Sequence, residues 1–140
     1  MTLSDLPGWA AALLEEVRVA HLGLLDEDGH PRVQPVTFAR VGDTIVSAID
    51  SKPKRRPGEL PARVRRLEHH PRVALTVDRY DDDWTRLAWV QILGDVGIEP
   101  VDGASLEALQ RRYPAYRGDP PRGPILKLRP ERVLSWRAGG

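Results

Sequence analysis

The feature of this sequence that most constrains its fold is a series of short segments in which apolar and polar residues alternate. Alternation with a period of two is typical of strands that bury one face. Residues that favour turns, such as Asp28-Gly29 and Gly42-Asp43, separate the segments. The pattern predicts at least six strands, mostly in hairpin succession, from residues 19–25, 32–40, 44–49, 72–80, 84–99 and the pair 125–128 and 133–136 around Pro130.

Three short helical patterns interrupt these strands. They lie near the N-terminus, where Trp9, Leu13, Leu14 and Val17 share one face, at Ala62–His69, and at residues 104–113. Strands and long helices do not alternate as a parallel sheet would require. The predicted fold class is therefore mainly β (α+β), a six-stranded antiparallel barrel with short flanking helices, and residues 1–140 form a single domain.

Pro35 lies inside the second predicted strand, although proline cannot donate a hydrogen bond to a neighbouring strand. Two interpretations stay open: a bulge that curves the sheet, or a strand that leaves its partner here and offers backbone groups to a ligand. The segment 84–99 is similarly either one long strand or two joined by a bulge, with Gly94 and Gly97 as bend points.

The chain contains no cysteine, which excludes a disulfide scaffold, thiolate metal sites and cysteine nucleophiles. It shows neither a signal-peptide pattern nor an apolar run long enough to span a membrane, so we expect a cytoplasmic protein with no membrane partner. The four histidines are not spaced as metal ligands, and no metal site is expected. No nucleophile with a base partner is identified, so the catalytic residues are unknown.

Positive charge is concentrated in one segment, although the formal net charge is only +1. Residues 52–72 hold eight basic and two acidic residues, a local charge of +6, and the 13 basic and 18 acidic residues elsewhere leave −5 for the rest. The segment is either a solvated basic surface or an anion site. A phosphate group would need donors from a strand end, a loop and a helix start. Such donors occur here in that order, in the strand that contains Ser47, in the loop with Ser51, Lys52, Lys54 and Arg55, and in the helix with Arg63, Arg65 and Arg66.

Several motifs, in their order along the chain, carry a family resemblance. They are His21-Leu22-Gly23-Leu24-Leu25 with the Asp28-Gly29 turn, Gln34-Pro35-Val36-Thr37-Phe38, Asp50-Ser51-Lys52-Pro53-Lys54, residues 64–75 and residues 83–90. Together they span about residues 15–137. The chain thereby resembles the split β-barrel superfamily of pyridoxamine 5′-phosphate oxidase, and most closely its actinobacterial members that use the deazaflavin coenzyme F420.

The resemblance implies a homodimer with two cofactor sites at the subunit interface. It places the cofactor phosphate against the basic loop and the following helix, at Ser51, Lys52, Lys54, Arg55, Arg63 and Arg66. It places the ring system along the second and third strands, at Gln34, Pro35, Val36, Thr37 and Ser47. It also implies that three further residues either reach the site from the partner subunit or line the substrate side, namely Trp84, Arg86 and Trp89.

Three function hypotheses follow. The first is an F420-dependent oxidoreductase that transfers hydride between the reduced cofactor and a small organic acceptor. The second keeps the fold with FMN as cofactor; vitamin B6 oxidation is the weaker form of it, because residues 133–137 lack the Arg-Leu-x-Pro ending of true pyridoxamine phosphate oxidases. The third is a nucleic-acid-binding barrel, which the scarcity of aromatic residues for base stacking disfavours, so we expect no nucleic-acid partner.

Overall fold

The computed structural model describes residues 2–49 and 62–140, whose strands form one seven-stranded antiparallel sheet. The strands are β1 (Ala20–Leu25), β2 (Pro31–Val36), β3 (Ala39–Val41), β4 (Thr44–Ala48), β5 (Arg72–Arg79), β6 (Ala88–Glu99) and β7 (Ile125–Arg137). The helices are α1 (Gly8–Glu16), α2 (Ala62–His69), α3 (Gly103–Arg112) and the single turn α4 (Ala115–Gly118). The predicted mainly β fold with short helices is confirmed; α4 was not predicted.

The strand order is β2-β1-β5-β6-β7-β4-β3, which puts β2 and β3 at opposite edges of the sheet. Yet only Thr37 and Phe38 separate these two strands along the chain. Two such residues span at most about 11 Å between Val36 and Ala39. The two edges must therefore come close together, so the sheet curls into a barrel that is split between β2 and β3.

The prediction of one strand over residues 32–40 is wrong, and the sheet has seven strands rather than six. The chain pairs with β1 as far as Val36 and with β4 from Ala39 onward. Pro35 pairs opposite His21 in a register that runs without a shift, so the bulge interpretation is also wrong. Because β2 is an edge strand, every second backbone N–H points away from β1, which makes an edge position the usual place for a proline in a sheet.

The two predicted strands on either side of Pro130 are one continuous strand, β7, which pairs with the long strand β6. The register shifts between Leu93, which faces Arg132, and Gly94, which faces Pro130. A Cβ on Gly94 would lie 2.1 Å from the carbonyl oxygen of Arg129. Gly94 is therefore a bend point, as predicted, because only glycine permits this close approach.

The apolar side chains form two clusters, one inside the barrel and one under α3. The interior cluster includes Leu14 of α1, Leu67 of α2 and Ile92 of β6, all nearly fully buried. The second cluster packs α3 against the outer side of β3 and β4, through Ala39, Val46, Ala48, Leu109, Tyr113 and Ile125. On the outer side of β2, in contrast, Val33 is exposed.

Candidate functional site

An open groove of about 400 Å³ runs across the outer face of β1, β2 and β5. The side chains on its floor are short at the centre, where Gly23 of β1 pairs with Val33 of β2 on one side and with Ala74 of β5 on the other. Leu93 of β6 continues the same row, opposite Ala74. The result is a mostly apolar depression in a sheet face that the rest of the described chain leaves open.

Charged side chains stand at the rim of this groove. Arg72 forms an ion pair of 2.6 Å with Glu131, and Arg32 lies 3.6 Å from the carboxylate of Asp26. Burial would raise the pKa of Asp26, but backbone N–H bonds from His30 and Asp28 outweigh it and hold that pKa below its usual value. The ionised Asp26 thus fixes the turn between β1 and β2 at one end of the groove.

Arg66 of α2 lies behind this same turn. Its side chain is largely buried, and its Nε is 3.9 Å from the carboxylate of Glu27. That Nε is buried and has no hydrogen-bond partner in the part of the chain described. Leu25 and Pro31, on the two sides of the turn, line the groove. Arg66 therefore lies beside the turn at the groove's end, where it pairs with Glu27 while its Nε has no hydrogen bond to any described residue.

Thr37 and Ser47, predicted to contact a ring system, meet at the crossover between β2 and β3. The Ser47 hydroxyl donates to the Thr37 carbonyl at 2.6 Å, and the Thr37 hydroxyl lies 2.7 Å from the hydroxyl of Tyr116. The Tyr113 hydroxyl accepts a 3.0 Å bond from the backbone N–H of Phe38. These polar groups are satisfied within the fold and hold the crossover in place.

The remaining predicted residues of β2 divide between its two faces. Pro35 is exposed on the outer face, whereas Val36 is buried in the interior cluster and Gln34 is half-buried. Pro35 lies two residues beyond Val33 on the same strand and on the same face. The structure thus places only Pro35 of these three beside the groove.

The predicted residues that follow β5 along the chain also lie in different places. Trp84 is exposed in a single 3-10 turn, and Arg86 in the same turn pairs with Asp81 at 3.1 Å. Trp89 is partly exposed and pairs across strands with Trp136 of β7. Trp89 therefore lies on the same outer face as the groove. Its exposed neighbour Trp136 is an additional residue on this face, which no sequence motif indicated.

None of the predicted residues with described side chains lines the groove. Ser51, Lys52, Lys54 and Arg55 lie outside the described residues, as does the side chain of Arg63. The period-two pattern does predict that Gly23, Val33 and Ala74 share the face opposite the core. It could not reveal that these three residues are neighbours, because β1 and β5 are far apart in sequence.

The described residues contain neither a metal site nor a membrane-spanning helix. No group of three or more His, Asp or Glu side chains there is arranged to hold a metal ion. None of the helices described has the length and apolar character that crossing a membrane requires.

A family model for pyridoxamine 5′-phosphate oxidase matches residues 6–137. The chain belongs to the pyridoxamine 5′-phosphate oxidase family. This confirms the resemblance to that superfamily, whereas the closeness to its F420-dependent members stays a prediction. No curated protein matches the chain in sequence.

Solved structures share the fold of this pyridoxamine 5′-phosphate oxidase family member at low sequence identity. A conserved hypothetical protein from Mycobacterium tuberculosis has a TM-score of 0.72 and 18% identity, with 98% of this chain and 85% of that chain covered. A heme binding protein from Mycobacterium smegmatis has a TM-score of 0.72 and 20% identity, with coverages of 96% and 57%. An FAD binding protein from the same organism has a TM-score of 0.62 and 16% identity, with coverages of 95% and 97%.

Proposed function

We propose that this protein is an oxidoreductase that uses the deazaflavin coenzyme F420 to transfer hydride to or from a small organic acceptor. The observation that carries the proposal is the open, mostly apolar groove on the outer face, with the basic side chain of Arg66 beside the turn at one end of it. A cofactor with an apolar ring and an anionic phosphate needs both of these features. The motifs that resemble F420-dependent family members favour the deazaflavin over a flavin.

The residues present fit such a ring. Pockets that hold small molecules typically enclose about 300–1,000 Å³ and are mostly apolar. Gly23 and Ala74 leave room for a flat group to approach the backbone, while Val33 and Leu93 offer apolar contact and exclude water. The cofactor, when bound, supplies the hydride chemistry, and the chain supplies binding and orientation.

The basic segment is the proposed phosphate site. Its first part follows β4 in the sequence, and its second part forms α2, which contacts β1, one of the strands of the groove floor. Lys52, Lys54 and Arg55 of this segment, together with Arg63 and Arg66, would offer charge-assisted hydrogen bonds to phosphate oxygens. Positive charge is the property that phosphate recognition requires, and it is concentrated here.

A second copy of the chain is the proposed second wall of the site. The groove is open, and Val33 at its edge is 67% exposed. Trp89 and Trp136 add exposed aromatic surface to the same face. Burying these side chains against a partner would remove apolar area from water and enclose the ring. Trp84 and Arg86 would then reach the site or the substrate from the partner subunit.

FMN is the second candidate cofactor, because a structure of the same fold is described as an FAD binding protein. The absorbance of the purified protein, before and after denaturation, distinguishes the candidates. We expect no released FMN, and we expect reduced F420 to be oxidised in the presence of an acceptor at a rate that depends on the protein. Release of stoichiometric FMN would favour the second candidate, and a heme Soret band would overturn both.

A further inference from the structure

A second cavity, of about 280 Å³, lies between the end of α1, the edge strand β3 and α3. It shares no lining residue with the groove on the outer face. Its charged lining consists of four arginines and a single glutamate, namely Arg18, Arg40, Arg111, Arg112 and Glu15. Such an excess of positive charge around one cavity requires a physical explanation.

Arg112 is fixed in position mainly by neutral groups. Its side chain is only 9% exposed, and its guanidinium lies over the ring of Phe38, 4.6 Å from the centroid. It donates to the backbone carbonyl of Glu15 at 2.9 Å and also to that of Val17. These carbonyl groups orient the charge, and the one carboxylate that pairs with Arg112 among the described residues is that of Glu15, at 3.8 Å.

Arg18 and Arg40 bring two further charges to the same cavity. Arg18 donates to the carbonyl of Arg112 at 2.6 Å and lies over the ring of Tyr113, and Arg40 Nε donates to the carbonyl of Gly42 at 2.9 Å. Within residues 2–49 and 62–140, neither guanidinium has a carboxylate within 4.0 Å. Arg111, in contrast, is paired with Glu107 at 2.7 Å.

We propose that this cavity, the arginine pocket, binds a multiply charged oxyanion. The planar guanidinium group matches a pair of oxygens on a phosphate or carboxylate group and binds it through two parallel hydrogen bonds. Like charges held in one cavity repel one another, and a bound anion removes that repulsion. The inference is independent of the cofactor proposed above, because the arginine pocket is built from other residues on the opposite edge of the sheet.

Calorimetric titration with pyrophosphate and with citrate, at constant ionic strength and without F420 or FMN, tests the proposal. We expect saturable binding of at least one of the two. The probe that binds more tightly shows whether the arginine pocket prefers phosphate or carboxylate groups. Arg40→Ala should weaken that binding about tenfold, since a charge-assisted hydrogen bond is lost. The exposed Arg122, outside the arginine pocket, provides a matched control: Arg122→Ala should bind as the wild type does.

Glu15→Gln should change the affinity for the oxyanion in the opposite direction. It removes the one carboxylate of the arginine pocket while leaving the backbone carbonyl that holds Arg112, so oxyanion binding should become stronger. Unfolding midpoints without ligand verify that each variant is folded. Absence of saturable binding for both probes, or equal weakening by Arg40→Ala and Arg122→Ala, would overturn the proposal.

Discussion

The Ser47 hydroxyl donates a hydrogen bond of 2.6 Å to the main-chain carbonyl oxygen of Thr37. Thr37 is the point at which the chain leaves β2 at one edge of the sheet and turns toward β3 at the other. Ser47 lies in β4 and is only 6% exposed. This one buried bond therefore connects the crossover of the split barrel to the strand beside it.

Replacing Ser47 with alanine should destabilise the protein. The carbonyl of Thr37 would lose its buried donor, and leaving such a group unsatisfied costs about 1–3 kcal/mol. The free energy of unfolding in urea measures the effect. Ser4→Ala, at an exposed position, is the matched control and should change stability by less than about 0.5 kcal/mol. Equal stability of the two variants would contradict the role assigned to Ser47.

Replacing Gly94 with alanine should be more damaging. The added Cβ would meet the carbonyl oxygen of Arg129 at 2.1 Å, so β6 or β7 must shift at the register change. We expect a loss of at least about 2 kcal/mol of unfolding free energy, as for other overpacked sites. Gly103→Ala is the control, because a Cβ there meets no atom within 4 Å. A wild-type melting curve for Gly94→Ala would refute the close approach.

Asp102 makes stability depend on acid pH. It caps α3 by accepting the backbone N–H of Ser105 at 2.8 Å, and it pairs with Lys127 at 3.1 Å. These contacts lower its pKa from 3.8 to about 2. Because the folded-state pKa is the lower one, the stabilisation is present above about pH 4 and is lost as the pH falls toward 2.

Asp102→Asn tests this dependence, because asparagine can still cap the helix but cannot titrate. Its unfolding free energy should change less between pH 4 and pH 2 than that of the wild type. Asp82→Asn, at an exposed turn position, should follow the wild-type profile. If the Asp102→Asn profile also followed the wild type, the lowered pKa would contribute nothing to stability.

The outer face gives a prediction about assembly. Val33→Glu places a charge on the surface that we propose a second copy covers, so the variant should elute as a monomer while the wild type elutes as a dimer. Light scattering on a sizing column measures both masses. Val19→Glu, at another exposed valine outside the groove, should leave the dimer intact. A monomeric wild type would contradict the proposed second wall.

The sequence predicted local structure well and long-range neighbours poorly. Period-two alternation located β1 and β5, but pairing between Gly23 and Ala74 depends on contacts between segments some 50 residues apart, which no local pattern encodes. Pro35 suggested a bulge or a break at that residue, yet pairing with β1 continues through Val36. The break occurs at Thr37, where Tyr113 and Ser47 hold the crossover. Those bonds arise from tertiary packing.

The two parts of the proposed cofactor site differ in how far the sequence predicts them, for the same reason. The basic segment could be recognised from composition alone, since charge clustering is a local property. The groove could not, because its lining residues are small or apolar and carry no distinctive motif. Charged residues are therefore easier to select from a sequence than the apolar surface on which we propose that a ring lies.

Fluorescence titration of the purified protein with coenzyme F420, compared with titration with FMN, tests the proposed function. We expect saturable binding of F420 that is tighter than that of FMN. Combining Lys52→Ala with Lys54→Ala should weaken it by at least about tenfold, because each lysine offers a charge-assisted contact to phosphate. Absence of F420 binding, or tight binding of FMN alone, would contradict the account.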